Sequence, residues 1–256
     1  AAPVSSTSAS AAEAPKSDKD EKKEEKHVHW TYAGETGPQK WGDLNAMPER
    51  TDPVPPTLNW DLWNGVVRPV PYIKGYYHPG DWRRRTAFGT ATFGDMGCHI
   101  YDPVFGALDL SAPVSVRSEG PAPSAHSWAI NAVIHYTFPG TRFSEGKTVN
   151  VTWYDGDERP AKEIQALAPI ARFPAQGSLF IGTKGVMRLP HIAMPTLYPQ
   201  AQFKDFVITR ADARNHYHEF VDAVLGKTTT STSFDYSGPL TEAVLLGPLA
   251  THFPKT

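Results

Sequence analysis

Cysteine is almost missing from this chain of 256 residues. With Cys98 alone there can be no internal disulfide, and no zinc or iron–sulfur site built from cysteines. An excess of either charge is missing too: 25 Lys and Arg stand against 27 Asp and Glu, a formal net charge of −2. That balance gives no general attraction to nucleic acid or to an anionic membrane surface, so neither is expected as a partner. No apolar run approaches the about 18 residues of a membrane-spanning helix. A G-x-G-x-x-G turn between strand and helix is also lacking. Gly34, Gly37 and Gly42 in YAGETGPQKWG have other spacings and follow no hydrophobic strand. Proline and glycine are plentiful, at 24 and 20 residues, which predicts long ordered loops.

The opening AAPVSSTSASAAEAPKSDKDEKKEEK, residues 1–26, holds small residues and then dense mixed charge, without aromatics or an apolar period. Such a segment cannot bury enough surface to offset its chain entropy and reads as a disordered tail. Its composition is the basis for expecting a periplasmic or secreted protein, with the cytoplasm as the alternative. Residues 45–90 are rich in Pro and aromatics with no sustained period, so an ordered irregular segment is expected, with one short helix at Leu58–Trp63. Residues 92–110 read as helix, restarting where Asp102-Pro103 supplies a cap and a first-turn proline. Strand-like runs follow at 113–119, 131–138, 147–155 and 178–189, the last broken into a hairpin at Thr183-Lys184-Gly185. A helix is expected at His216–Leu225, stopped by Gly226, and a final one from Gly238-Pro239 with Glu242 in its first turn. Helix, then strands, then helices predicts an α+β fold with a mostly antiparallel sheet.

Within GDMGCH, a helical path places Asp95 and His99 four residues apart on one face. A carboxylate beside an imidazole orients the ring and supports its charged form, which makes a proton relay. The plainer reading is a packed histidine that a neighbour merely orients. Trp82-Arg83-Arg84-Arg85 offers guanidinium forks for a phosphate or a sugar acid; the alternative is a solvated loop with Trp82 in the core. His27-x-His29 and His216-x-His218 have the spacing of metal ligands on a strand. The first borders the tail and the second opens a helix, where positions two apart diverge, so no metal site is expected. Cys98 reads as a small buried helix residue.

Eight blocks in order resemble the C-terminal domain of the Gfo/Idh/MocA oxidoreductases. They are LNWDLWNG, YYHPGDWRRR, FGTATFGDMGCHIYDP, HYTFPG, TWYDGDERP, GSLFIGTKGVMRLP, NHYHEFVDAVLGK and FDYSGPLTEAVLLG, and they span about residues 48–256. The resemblance implies an open-faced sheet domain that binds substrate and mediates homo-oligomer contacts through the sheet face. It implies oxidation or reduction of a sugar or polyol with NAD or NADP. The family's Asp-x-x-x-His pair falls on Asp95 and His99, with His99 as acid/base and Asp95 as its orienting partner. Substrate contact is implied for Tyr77, His78, Trp82 and Arg83 in the nearby loop, and for His216 and Tyr217. The family's Glu-Lys-Pro motif and its Rossmann domain are not found in this sequence, so no cofactor is expected to bind this chain alone.

A second resemblance covers KHVHWTYAGETGPQKWGDL, residues 26–44, which is similar to the N-terminal segment of bacterial α-carbonic anhydrases. The zinc-binding strands of that family have no counterpart downstream. The expected organisation is therefore a tail at 1–26, a short anhydrase-like segment at 27–47 and an oxidoreductase-type domain at 48–256, with a junction near Asn45–Arg50. Three readings of function follow: an oxidoreductase's substrate domain, a non-catalytic carbohydrate-binding or oligomerisation module, and a carbonic anhydrase. Without a covering domain, the aromatic segment 58–88 is expected to expose an apolar patch and drive self-association.

Overall fold

The computed structural model describes residues 47–77, 80–170, 173–209 and 214–253. The tail and all but the last residue of the 27–47 segment lie outside these residues, as do His27, His29 and His78. The element order is α1 (Trp60–Asn64), a 3-10 turn (Asp81–Arg84), α2 (Ala91–Ile100), α3 (Asp102–Ala107), β1 (Ser115–Glu119), β2 (Val133–Pro139) and β3 (Thr148–Tyr154). There follow α4 (Lys162–Ala166), β4 (Gly177–Gly182), β5 (Gly185–Pro190), β6 (Thr196–Tyr198), α5 (His216–Val224) and α6 (Phe234–Ala250). The fold is α+β and every strand pair is antiparallel.

The strands divide into two three-stranded sheets, β1-β2-β3 and β4-β5-β6. Between them the chain carries Pro160, Pro169 and Pro174, which have no N–H to extend a ladder, together with the short α4. In the first sheet Ile134, Tyr136 and Phe138 of β2 point into the core, while Val133, His135 and Thr137 face the more open side. The buried side packs on Phe93 of α2, Tyr101, Phe105 of α3 and Leu240, Ala243 and Val244 of α6. Two glycines let these helices approach. A Cβ at Gly97 would lie 2.9 Å from Val244, and one at Gly247 would lie 2.5 Å from Phe93 and from the Tyr136 hydroxyl.

Helix α6 begins four residues before the expected Gly238-Pro239. Ser233 O accepts from Tyr236 N and Ser237 N at 3.0 and 2.8 Å, closing a first turn ahead of the proline. Pro239 therefore sits inside the helix, and the acidic first-turn residue is Asp235, not Glu242. The Thr183-Lys184 turn does form the expected β4–β5 hairpin, with Gly182 paired to Gly185.

The segment 58–88 closes on itself. Ile73, Tyr76 and Tyr77 are buried under Trp60, Trp63, Trp82 and Phe88, with Trp60 and Trp63 stacked at 4.6 Å. Trp60 Nε1 donates to Val70 O at 2.8 Å. Leu62 and Val66 of this segment still face solvent, as do Phe220, Val221 and Val224 on α5. That helix is held at its start by Asn215, whose side chain accepts from His218 N at 3.0 Å.

Candidate functional site

Helix α2 is placed by its inner residues, Phe93, Met96 and Gly97, so Asp95, Cys98 and His99 are turned outward. Cys98 is thus exposed, not buried as its residue type suggests, and its Sγ donates to Asp95 O at 3.4 Å. Burial of its near side and the neighbouring Asp95 charge both hold the thiol above its ordinary range.

Asp95 and His99 share this outer surface, but the carboxylate turns to another partner. Arg83 Nε donates to Asp95 Oδ1 at 2.7 Å, across from the 3-10 turn. No ion pair joins Asp95 to His99 among the described residues. Asp95 Oδ1 thus clamps the helix to the arginine turn. The guanidinium of Arg83 also lies 4.7 Å from the Trp82 ring centroid. Gly89 allows the return of the chain over this turn, since a Cβ there would run into the Arg83 carbonyl. A double-mutant cycle with Arg83→Met and Asp95→Asn should give a coupling of about 1–2 kcal/mol, as expected for a partly buried charged hydrogen bond. Urea unfolding of the four proteins checks it, and a coupling near zero would show that the contact is only a surface pair.

His99 instead faces the second sheet. Its ring centroid lies 5.8 Å from that of His191, which follows β5. His191 Nδ1 is 2.9 Å from Gln176 Oε1, which precedes β4. As placed, the amide oxygen accepts, so Nδ1 carries the proton and Nε2 is the accepting nitrogen of the neutral ring. Partial burial and the His99 charge both depress the His191 imidazole. Ser178 Oγ donates to Ile100 O at 3.3 Å and ties β4 to the end of α2. His191 and Gln176 carry no sequence signal: they lie 92 and 77 positions from His99 and only the sheet brings them there.

The rest of the Arg run is internal. Arg84 and Arg85 are 2% and 1% exposed, which overturns the solvated-loop reading. Arg84 pairs with Asp81 at 3.1 Å, and burial lowers its guanidinium to about 10. Arg85 lies 3.4 Å from the Tyr76 ring centroid and donates to Tyr76 O and Ser127 Oγ. Neither is presented to a ligand. Tyr77, expected at the substrate, is only 3% exposed within the aromatic cluster. Trp82 is half-buried on the same cluster beneath Arg83. His216 and Tyr217 are exposed on α5 and share no hydrogen bond, ion pair or ring contact with Asp95, His99 or Arg83 among the described residues. Of the expected constellation, the structure brings together Asp95, Arg83 and Trp82, while His99, one turn further along α2, meets His191.

Among the described residues no cluster of three or more His, Cys, Asp or Glu could hold a metal ion. No helix there is long and apolar enough to cross a membrane.

A cleft of about 840 Å³ opens between the α4 region and the run leading into β4. Its walls include Arg159, Pro160, Lys162, Gln165 and Phe173. Arg159 Nη1 donates to Gly156 O at 2.9 Å and Glu158 O at 2.6 Å, which fixes the guanidinium against its own loop.

No curated protein matches the chain. The profile of the Gfo/Idh/MocA oxidoreductase family, C-terminal alpha/beta domain, matches residues 26–161, a stretch that includes Asp95 and His99 and also runs through the anhydrase-like 26–44. Since that stretch is more than half of the chain and carries the Arg83–Asp95 clamp and His99, the protein belongs to the Gfo/Idh/MocA oxidoreductase family through this C-terminal α/β domain.

Proposed function

We propose that this chain supplies the substrate-binding and proton-transfer part of an oxidoreductase acting on a sugar or polyol. The observation that carries the reading is the exposed His99 on α2, the helix whose Asp95 is clamped to Arg83, in a domain of an oxidoreductase family. His99 can accept the proton that leaves a carbinol oxygen, or return it to a carbonyl oxygen in the reverse direction. Arg83 and Asp95 act on position: they hold the outer surface of α2 against the arginine turn, with the Arg83 guanidinium over the Trp82 ring.

The family resemblance implies a nicotinamide dinucleotide. Among the described residues no Gly-rich turn joins a parallel strand to a helix, so the residues present do not fit that group and none is assigned to it. The chemistry derived for this chain is the proton half of the reaction.

Ligand-detected NMR against a panel of neutral and charged sugars and polyols tests the reading. At least one should bind the parent chain, and His99→Gln should weaken that binding about tenfold, the loss expected for one polar contact to a ligand. Binding unchanged by His99→Gln would instead favour a carbohydrate-binding module that makes no use of the imidazole. The anhydrase-like reading of 26–44 has its own check, stoichiometric zinc together with CO2 hydration.

A further inference from the structure

We propose that the cleft beside α4 is a binding site for a small organic anion, a carboxylate carried on an aromatic or hydrocarbon body. Arg159 and Lys162 hold the carboxylate, while Phe173, Pro169 and Ile170 cover the body. The site shares no lining residue with His99, His191 or Gln176 and is independent of the sugar or polyol reading.

The cleft of about 840 Å³ continues into a second of about 410 Å³, since Lys162, Gln165 and Phe173 line both. Arg159 belongs to the larger part alone, and Ala166, Pro169 and Ile170 to the smaller. The groove therefore runs from a charged end to an apolar one. Among the described residues no Asp or Glu lines either part. Arg159 and Lys162 also form no ion pair with a carboxylate there, although Asp157, Glu158 and Glu163 are close in sequence.

Arg159 is set in place by its own loop. Its Nη1 donates to Gly156 O at 2.9 Å and to Glu158 O at 2.6 Å, which uses both hydrogens of that nitrogen. The loop is pinned in turn: Gly156 N donates to Asp155 Oδ1 at 2.8 Å and Asp157 N to Asn131 Oδ1 at 2.9 Å. The remaining Nε–Nη2 edge of the guanidinium is one that can meet a carboxylate through two parallel hydrogen bonds. A side chain ordered before the ligand arrives gives up less freedom on binding. Across the groove, Gln165 Nε2 donates to Pro160 O at 2.7 Å and fixes α4 to the same loop. Charge alone leaves half of the groove unused. The walls of Phe173, Pro160, Pro169 and Ile170 gain from covering hydrocarbon, and the volume suits one or two fused rings.

Ligand-detected NMR on the full chain with 2-naphthoate, 2-naphthylmethanol and acetate tests the proposal. Naphthoate should bind saturably, and at least about tenfold tighter than either the neutral alcohol or acetate. Arg159→Gln should weaken naphthoate about tenfold, and Phe173→Ala by a similar factor. Lys162→Gln, at an exposed position, should weaken it in the same direction and covers the case where Arg159→Gln does not fold. Equal binding of naphthoate and the alcohol would overturn the role of the charge, and equal binding of acetate would overturn the apolar half. No saturable binding, or binding untouched by all three variants, would overturn the site itself. If only His99→Gln weakens naphthoate, the probe sits at the imidazole and the cleft is not its site. Sugar and polyol binding is read with other probes, so the reading of His99 stands or falls separately.

Discussion

Replacing Phe93 by Ala is expected to cost about 3–5 kcal/mol of stability, the range for deleting a large aromatic from a core that cannot close the gap. Phe93 is 1% exposed and lies at the centre of the core between α2, the first sheet and α6. Its ring stacks on Trp153 at 4.3 Å and meets Tyr101 and Tyr136 edge-on at 5.4 and 5.9 Å. The walls of the resulting cavity would be rigid rings anchored on other elements. Tyr136 Oη, for instance, donates to Ala243 O at 2.8 Å and cannot move in without losing that bond. The backbone of α6 is already close, as Gly247 shows, so little further approach is available. Urea unfolding should show a lower midpoint with an unchanged slope. Phe93→Leu, which keeps apolar volume, should lose clearly less. A loss below about 1 kcal/mol for the alanine variant would mean that the helices and sheet collapse onto the gap, contrary to the packing described. Because Asp95 is two residues along the same helix, the Arg83–Asp95 contact should loosen in parallel.

The core was legible because it obeys local periods. Alternation in β2 places Ile134, Tyr136 and Phe138 on one face, and the Asp102-Pro103 restart of α3 follows from the fixed proline φ and the missing N–H. The Asp95/His99 spacing was equally readable, since a helix repeats at four residues. Their partners were not. Arg83 reaches Asp95 from a 3-10 turn whose residues read as an exposed basic run, and the burial of Arg84 and Arg85 depends on Asp81, Tyr76 and Ser127 closing over them. A composition-based rule assigns three consecutive arginines to solvent; only tertiary contacts reverse it. Likewise Tyr77 carries the chemistry of a sugar-stacking residue, but the surrounding tryptophans use its ring as core. His191 and Gln176 were invisible for a third reason: antiparallel pairing in the second sheet brings them together, and no motif links their positions.

Raising the pH from 4 to 7 should make Asp155→Asn gain on the parent protein by about 2–3 kcal/mol of unfolding free energy. Asp155 follows β3 and is 3% exposed. Burial raises its carboxyl from 3.8 to about 6, against the Gly156 amide and the Thr92 hydroxyl, which favour the charged form. A carboxyl whose folded value is raised holds its proton in the native state after the unfolded chain has released it. Its favourable contribution is therefore complete below the unfolded value, and it is lost as the pH rises through the folded one. A shift of about 2 units at about 1.4 kcal/mol each sets the size of the loss. Asparagine keeps a side-chain oxygen that can still accept from Gly156 N, which donates at 2.8 Å in the parent, but it never carries the charge. Glu119 and Glu219, whose hydrogen-bond partners hold them below the ordinary range, run the opposite way with pH, yet they are present in both proteins and cancel in the difference. Urea unfolding of both proteins at pH 4, 5, 6 and 7 gives the two curves. Parallel curves would show that the amide and hydroxyl keep Asp155 charged in the fold. Divergence centred between pH 4 and 6 would place a neutral acid beside Thr92, in the first turn of α2, and so make the helix that presents Asp95 and His99 most firmly seated in mild acid.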